Sequence, residues 1–402
     1  MVETPGAVGL RELRIEGFRS ARQAVLRPGP VTVLVGEANA GKSNLLAAAR
    51  AVLDPAATLS AADATAGGDG RIVVAADLHP HGEARVALAP DGRMDAHRDG
   101  TPPVLFLPSE LRAGAVLAEP APAGAAFDRL RRAILEQAAP PGRSQAAPAN
   151  ALVAGLERCA EIGVSGVVVL IEEPELYLRP QAQRYLARQL RALADAGNQV
   201  LFSTHSPAFL NVSRLEELVL VGNDERRGTT VFQPGPLPAG DDFRTMSEFD
   251  AERGELFLAR VAVLVEGRTE KLALPHVFQA LGHDPDREAI SIVECGGKGN
   301  IPVLARVCRA CGVPVMAVHD RDALPGRRPV VTEQATNDLI AEIVGAGNVV
   351  QLEPDFEGVT GLRKKSHKPE QAWRHFRSLG FDGMPDVLKR VVQRAVALAD
   401  GA

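Results

Sequence analysis

Apolar positions along the chain fall into short blocks whose spacing switches between two residues and three to four. Residues 10–18 (LRELRIEGF) alternate apolar and polar, which predicts an antiparallel strand with one wet face. Residues 31–35 (VTVLV) are continuously apolar, β-branched and followed by a glycine, and from Gly41 the stretch KSNLLAAARAVL collects good helix formers. Strand, Gly-rich turn and helix in that order open an α/β unit. Three further short strands are expected in RIVVAADL, ARVALAP and VLFLPS (71–78, 84–90 and 104–109), grouped at an antiparallel sheet edge. The Ala- and Pro-rich stretch 113–150 holds one expected helix, 126–138.

Residues 151–162 repeat with helical period, 167–171 (VVVLI) predict a buried strand, 180–195 a long helix and 199–203 (QVLFS) another strand. This βαβ rhythm implies a parallel sheet covered on both faces. The Gly- and Pro-rich tract 222–242 is the best boundary. The rhythm then restarts with strand 261–265, helix 269–281, strand 290–294, helix 300–311 and strand 314–319, a second and smaller α/β domain.

Composition narrows the function classes. The 402 residues are 46% hydrophobic and 24% charged, enough to bury real cores and to exclude pervasive disorder. A net charge of −5 excludes an all-over basic coat, though a local basic groove remains compatible. Aromatics at 4%, with one Trp, argue against a base-stacking platform. The four cysteines (Cys159, Cys295, Cys308 and Cys311) fit a reducing compartment, and Cys308-x-x-Cys311 reads as core packing rather than a zinc site. No signal peptide and no apolar run of membrane-spanning length are read, so a cytoplasmic protein with no membrane partner is expected.

Two groups of residues carry chemistry. Gly36-Glu37-Ala38-Asn39-Ala40-Gly41-Lys42-Ser43 is a complete G-x4-G-K-S, in which backbone amides cradle phosphates, Lys42 reaches the β/γ oxygens and Ser43 ligates Mg²⁺. Asn39 and Asn44 complete the expected nucleotide-binding set. In VVVLIEEPE (167–175), Glu172 is expected at the metal or its water and Glu173 at the attacking water. In STHSP (203–207), His205 is the expected γ-phosphate switch residue.

The second group begins at VAVLVEGRTEK (261–271), where a buried strand delivers Glu266 to its C-terminal edge and Glu270 enters the next helix. Two strands later, His319-Asp320-Arg321-Asp322 places Asp320 and Asp322 on one face of an extended chain. Strand ends of a parallel sheet converge on one crevice, and carboxylates without paired bases suit Mg²⁺ or Mn²⁺. Two such cations serve in-line phosphodiester displacement. Gly296-Gly297-Lys298-Gly299 after strand 290–294 is compatible with phosphate contact but reads mainly as the turn into the next helix. From Arg363 to Arg394 the chain holds nine Lys or Arg against three acids, locally +6, as a backbone-tracking segment would.

The wording EEPELYLRPQAQ followed by STHSP resembles the ABC-type ATPases of the RecF/SMC-like and OLD-nuclease group. E-G-x-T-E followed by D-x-D resembles the TOPRIM domain of topoisomerases, primases and OLD nucleases. Joined in one chain, the two resemble the OLD (overcoming lysogenization defect) family of ATP-dependent endonucleases. The resemblance implies an ABC-type P-loop ATPase domain over 1–235, a linker over 236–258 and a Rossmann-like TOPRIM nuclease domain over 259–402. It further implies ATP and Mg²⁺ or Mn²⁺ as cofactors, DNA as substrate, a homodimer, a helicase among the expected partners, and a role in phage defence or DNA repair. A later acid and a lysine complete the family's site: Glu357 is the expected acid, with Glu353 and Asp355 as rivals, and Lys368 the expected lysine, ahead of Lys364 and Lys365. Catalytic roles then fall to Glu173, His205, Glu266, Asp320 and Lys368. The ligand set is Glu266, Glu270, Asp320, Asp322, Glu357 and Ser43. No LSGG signature segment is found; the nearest is Gly142-Arg143-Ser144-Gln145, and the Q-loop residue is not identifiable. The alternative is a RecF-like DNA-binding ATPase switch with an inactive TOPRIM domain.

Overall fold

A computed structural model describes residues 9–80, 82–109, 156, 163–176, 178–210, 212–235, 253–322, 330–362 and 368–401. Met1–Leu210 with Glu216–Gln233 form one unit, and Pro234–Ala402 with Asn211–Leu215 form the other.

The first unit is organised by one sheet of eleven strands in the order β6-β5-β4-β1-β2-β11-β10-β3-β9-β8-β7. Its strands are β1 (Gly9–Phe18), β2 (Ala21–Leu26), β3 (Val31–Val35), β4 (Ile72–His79), β5 (Glu83–Leu88), β6 (Met94–His97), β7 (Val104–Leu107), β8 (Val168–Glu172), β9 (Gln199–Thr204), β10 (Leu218–Asp224) and β11 (Gly228–Phe232). β10, β3, β9, β8 and β7 run parallel, and the strands from β11 to β6 pair antiparallel. The parallel strands β3 and β8 read as unbroken apolar runs because both faces are covered, whereas β4 alternates buried and half-buried positions. Helix α1 (Lys42–Leu53) lies on this sheet with Leu45, Leu46, Ala49 and Val52 buried, and α2 (Pro180–Asp195) starts with Pro180 at its first position.

Three expectations need correction here. β7 does not join β4 and β5 at an antiparallel edge; it pairs parallel with β8 at the opposite end of the sheet. A four-residue apolar run carries no local record of its partner, and Leu105 and Leu107 find their burial beside β8. The tract from Gly222 onward begins as strand, since the β10–β11 hairpin fills 218–232, closed by Asp224 accepting from the Arg226 and Arg227 amides. Gly228 there has φ +74°, and a Cβ would come within 2.1 Å of the Ser20 carbonyl. β2, β6, β10 and β11 were not expected. The expected helix 126–138, the helix 151–162 apart from Leu156, and Cys159 lie outside the described residues.

The second unit is a four-stranded, all-parallel sheet in the order β13-β12-β14-β15, formed by β12 (Val261–Val265), β13 (Ile290–Glu294), β14 (Val315–Asp320) and β15 (Val349–Leu352). The connections are α3 (Arg268–Ala280), α4 (Ile301–Ala310) and α5 (Val330–Val344); α6 (Phe356–Thr360), α7 (Lys368–Ser378) and α8 (Asp386–Asp400) follow. All five residues of β12 are buried, and Leu274, Phe278, Phe376, Leu388 and Val392 close over one face. Each such side chain contributes about 1.5–3 kcal/mol on leaving water. Residues 253–258, given above to the linker, form a 3-10 turn with Leu256 and Phe257 buried. The central strands β12 and β14 end side by side, with Val265 opposite Val318, so residues 266 and 320 emerge at one edge.

Candidate functional site

In the first unit β3 stops at Val35 because Gly36 must pass under β10: a Cβ on Gly36 would sit 2.0 Å from the Val221 carbonyl. Asn39 takes φ +62° and Gly41 φ +106°, and a Cβ on Gly41 would lie 2.1 Å from Thr229 Oγ1. These glycines are therefore fixed by the β10–β11 hairpin as well as by phosphate approach. Lys42 is buried, and its Nζ donates to the carbonyls of Gly36 (2.9 Å) and Glu37 (2.8 Å), spanning the loop a phosphate would fill. Burial pulls the Lys42 pKa down while Glu173 and Glu175 oppose that shift. Asn44 donates to Ser20 Oγ at 2.6 Å, and Ser20 pairs with Thr229, which ties the start of α1 to the hairpin. Ser43 is exposed at the first turn of α1.

β8 ends at Glu172, whose carboxylate accepts from the Ser109 amide at 3.2 Å. Glu173 turns left-handed (φ +45°), and its carboxylate lies 3.7 Å from His205 Nε2, so the expected water-polarising and switch residues do meet. Sequence reasoning passed over Glu175. Only 9% exposed, it accepts from Thr204 Oγ1 (2.8 Å) and the His205 amide (2.7 Å), while its second oxygen has no hydrogen-bond partner. Burial pushes its carboxyl up. The signal was present as the third acid of EEPE, one residue past a proline.

In the second unit the carboxylates of Glu266, Asp320 and Asp322 each offer an oxygen within 4.8 Å of the others. The reason differs from the one expected for D-x-D. β14 ends at Asp320, and Asp322 adopts φ +51°, so a left-handed bend rather than an extended chain aims both acids inward. Asp320 is held by the Phe356 amide (2.8 Å to Oδ1), and its own amide donates to Glu266 Oε2 at 3.4 Å. Burial, reinforced by Glu266 and Glu270, pushes the Asp320 carboxyl up to about 7. Burial likewise raises Glu266, against the pull of Lys298.

Glu270 stands outside the trio. Its carboxylate caps its own helix by accepting from the Gly267 amide at 3.2 Å, and burial raises it to about 7. Lys368 pairs with Glu357, which raises the lysine; Lys368 also feels Asp355 and Asp320, and Glu357 acts on Glu270, so the pair borders the acids. Of the rivals, Asp355 is committed as the cap of α6, accepting from the Gly358 amide, and Glu353 pairs with Arg321. Lys364, Lys365 and the segment Gly142–Gln145 lie outside the described residues.

Lys298, read mainly as part of a turn, belongs to the site. It is 7% exposed, with Nζ 3.2 Å from Asp322 and 3.1 Å from Glu333. His319 is fully buried with Nε2 unpartnered, and burial lowers its pKa, which keeps the ring neutral. Cys308 and Cys311 are buried, with thiol pKa values held high by burial, as core cysteines are.

The donor sets fit the groups they suggest. Three carboxylate oxygens gathered beside the ammonium of Lys298 suit a hard divalent cation, which would relieve the cost that burial places on the ionised forms of Glu266 and Asp320. The Gly-rich loop with its buried lysine suits a triphosphate.

Comparison with known proteins yields matches in both units. A family described as "Overcoming lysogenization defect protein-like, TOPRIM domain" matches residues 257–322, and one described as "AAA ATPase domain" matches 141–210. The chain is 35% identical over 265 residues to an OLD nuclease of Thermus scotoductus, covering 61% of this chain and 50% of that protein. It is 29% identical over 166 residues to the Old nuclease of Escherichia phage P2, covering 40% and 28%. Among solved structures, a Smc head domain from Pyrococcus furiosus, bound to the C-terminal domain of ScpA, aligns with a TM-score of 0.44 at 12% identity, over 60% of this chain and 99% of that one. The chain spans half the length of the Thermus relative and less of the phage protein. The chain thus carries a match to an AAA ATPase domain followed by one to an OLD-like TOPRIM domain, and it resembles an OLD nuclease over 61% of its length.

Proposed function

We propose that this OLD-like chain is an ATP-regulated, divalent-metal-dependent DNA endonuclease, with the ATPase domain over 1–235, a linker over 236–258 and the nuclease domain over 259–402. The observation that carries the reading is the convergence of Glu266, Asp320 and Asp322 at the C-terminal ends of β12 and β14. The family matches in both units and the named nuclease relatives support it.

Glu266, Asp320 and Asp322 would hold the Mg²⁺ or Mn²⁺, which supplies Lewis-acid activation of water and charge neutralisation at the phosphate. Phe356 fixes Asp320 through its amide, and the buried Lys298 balances Asp322 at 3.2 Å. Lys368, drawn toward the acids by Glu357, is placed to offer its ammonium to a phosphate or leaving oxygen. In the other unit, Gly36, Asn39, Gly41, Lys42, Ser43 and Asn44 bind the nucleotide. Glu172 and Glu173 serve its metal and water, and His205 reports on the γ-phosphate.

The protein works as a cytoplasmic homodimer, with a helicase among its partners, in phage defence or DNA repair. No helix among the described residues is long and apolar enough to cross a membrane.

Supercoiled plasmid incubated with Mg²⁺, Mn²⁺ or Ca²⁺, with and without ATP, tests the reading. Nicking in Mg²⁺ or Mn²⁺ that Asp320→Asn abolishes is the expected result. Equal nicking by the variant refutes it, and DNA-stimulated ATP hydrolysis without any cutting would favour the RecF-like switch.

A further inference from the structure

Among its described residues the second unit exposes two large hydrophobic side chains, Trp373 (37%) and Phe381 (55%). Both lie on the stretch from α7 through the turn Phe381–Gly383 into α8, and each has a cation over its ring. The Arg377 guanidinium is 5.0 Å from the Trp373 centroid, and the Lys389 ammonium 4.6 Å from that of Phe381. Ala372 and Phe376 on the same helix are buried, whereas the chain's single tryptophan, between them, keeps 37% of its surface in water.

Trp373 is also held in place. His276 of α3 meets it edge to face, with ring centroids 6.3 Å apart. Two helices serve as rulers from this pair to the acids. Lys368, which pairs with Glu357 at the border of the acid cluster, precedes Trp373 by five residues, about 7.5 Å along α7. Glu270 precedes His276 by six residues, about 9 Å along α3. Stacked bases advance about 3.4 Å each, so the ring lies about two to three base steps from the two residues that border the acid cluster.

We propose that Trp373, steadied by His276 and flanked by Arg377, is a stacking site for an unpaired base of the strand being cut, so that the substrate is DNA with a single-stranded stretch beside the scissile phosphate. One ring is a single stacking position rather than the platform of several that the scarcity of aromatics argues against; stacking on it reads no sequence, since every base has a π face, and duplex pairing hides those faces. Arg377 on α7 and Arg390 on α8 supply positive charge for the backbone on either side, while Arg374 and Lys389 are paired with Glu370 (2.6 Å) and Asp386 (3.1 Å) and would have to exchange those partners for phosphate. The inference rests on the nuclease reading for its purpose, but its test does not need cutting.

Because Trp373 is the one tryptophan, the emission of the whole chain reports on its surroundings. In EDTA, a twelve-nucleotide oligothymidylate is expected to quench that emission to saturation, whereas an abasic strand with the same number of phosphates leaves it nearly unchanged. Trp373→Leu is expected to weaken binding of the labelled oligothymidylate by about tenfold. Equal quenching by the two strands, quenching by neither, or quenching by a blunt duplex as strong as by the single strand overturns the proposal. The wild-type titration stands even where the variant fails to fold. Plasmid nicking judges the nuclease reading separately, so a chain that stacks bases on Trp373 yet cuts nothing would sink that reading and leave this site in place.

Discussion

Asp320→Asn should make the metal-free protein more stable at pH 8 while abolishing its nicking. In the folded chain the Asp320 carboxyl is raised from 3.8 to about 7 by burial and by its acidic neighbours. A raised acid binds protons better in the folded state than in the unfolded one, so stability falls as pH climbs from about 4 through 7 and stays low above that. At about 1.4 kcal/mol per pKa step, the full cost is about 4 kcal/mol. Asp320 is only half-buried and is coupled to Glu266 and Glu270, so solvent screening and shared protons bring the expected gain down to about 1–3 kcal/mol. Asparagine keeps an oxygen for the Phe356 amide, so the one hydrogen bond that orients residue 320 survives. Denaturation in EDTA, followed by a probe confined to the second unit, is expected to show the gain at pH 8 and less than half of it at pH 5. Mg²⁺ should stabilise the wild type and not the variant. A variant less stable than the wild type at pH 8, or equally favoured at both pH values, would refute the reasoning.

Lys298→Met removes the ammonium between Asp322 and Glu333. Since both acids are partly exposed, a loss of about 1–3 kcal/mol is expected by chemical denaturation in EDTA, partly restored by Mg²⁺; an unchanged midpoint would show that the pair contributes nothing. Gly36→Ala drives a Cβ to 2.0 Å from the Val221 carbonyl, a backbone atom that cannot swing aside. It should cost at least about 2 kcal/mol and weaken binding of a fluorescent ATP analogue, and wild-type affinity would contradict the packing argument. Glu175→Ala frees the His205 amide and Thr204 hydroxyl, whereas Glu175→Gln retains an acceptor. ATP turnover is expected to fall at least about tenfold in the first and much less in the second, and equal losses would mean that charge, not positioning, is what Glu175 supplies.

Much of this architecture was readable because its elements are locally encoded. β3, α1 and α2, and β12, α3 and β13, sit within a residue or two of their expected bounds, each a strong period-two, period-3.6 or unbroken apolar run ending at a glycine or proline. What was missed is non-local. β7 carries four apolar residues that would suit either end of the sheet, and only its pairing with β8 decides. The β10–β11 hairpin hid in a glycine-rich tract in which Gly222 closes against Thr230 of the hairpin itself and Gly228 against the Ser20 carbonyl, rather than serving a linker. The acids were legible as strand ends, but not the left-handed bend at Asp322 that aims one of them. Lys298 was read mainly as part of a turn and Glu175 was passed over for the same reason: a lysine in a turn and a third glutamate look like surface until the fold buries them.

Crystals grown or soaked with Mn²⁺ and measured at its absorption edge give the most direct test of the central claim. An anomalous peak at coordination distance, about 2.0–2.6 Å, from oxygens of Glu266, Asp320 and Asp322, absent in Asp320→Asn, is the predicted result. Density showing those three carboxylates ordered and in place, with Mn²⁺ in excess and no peak between them, would contradict it.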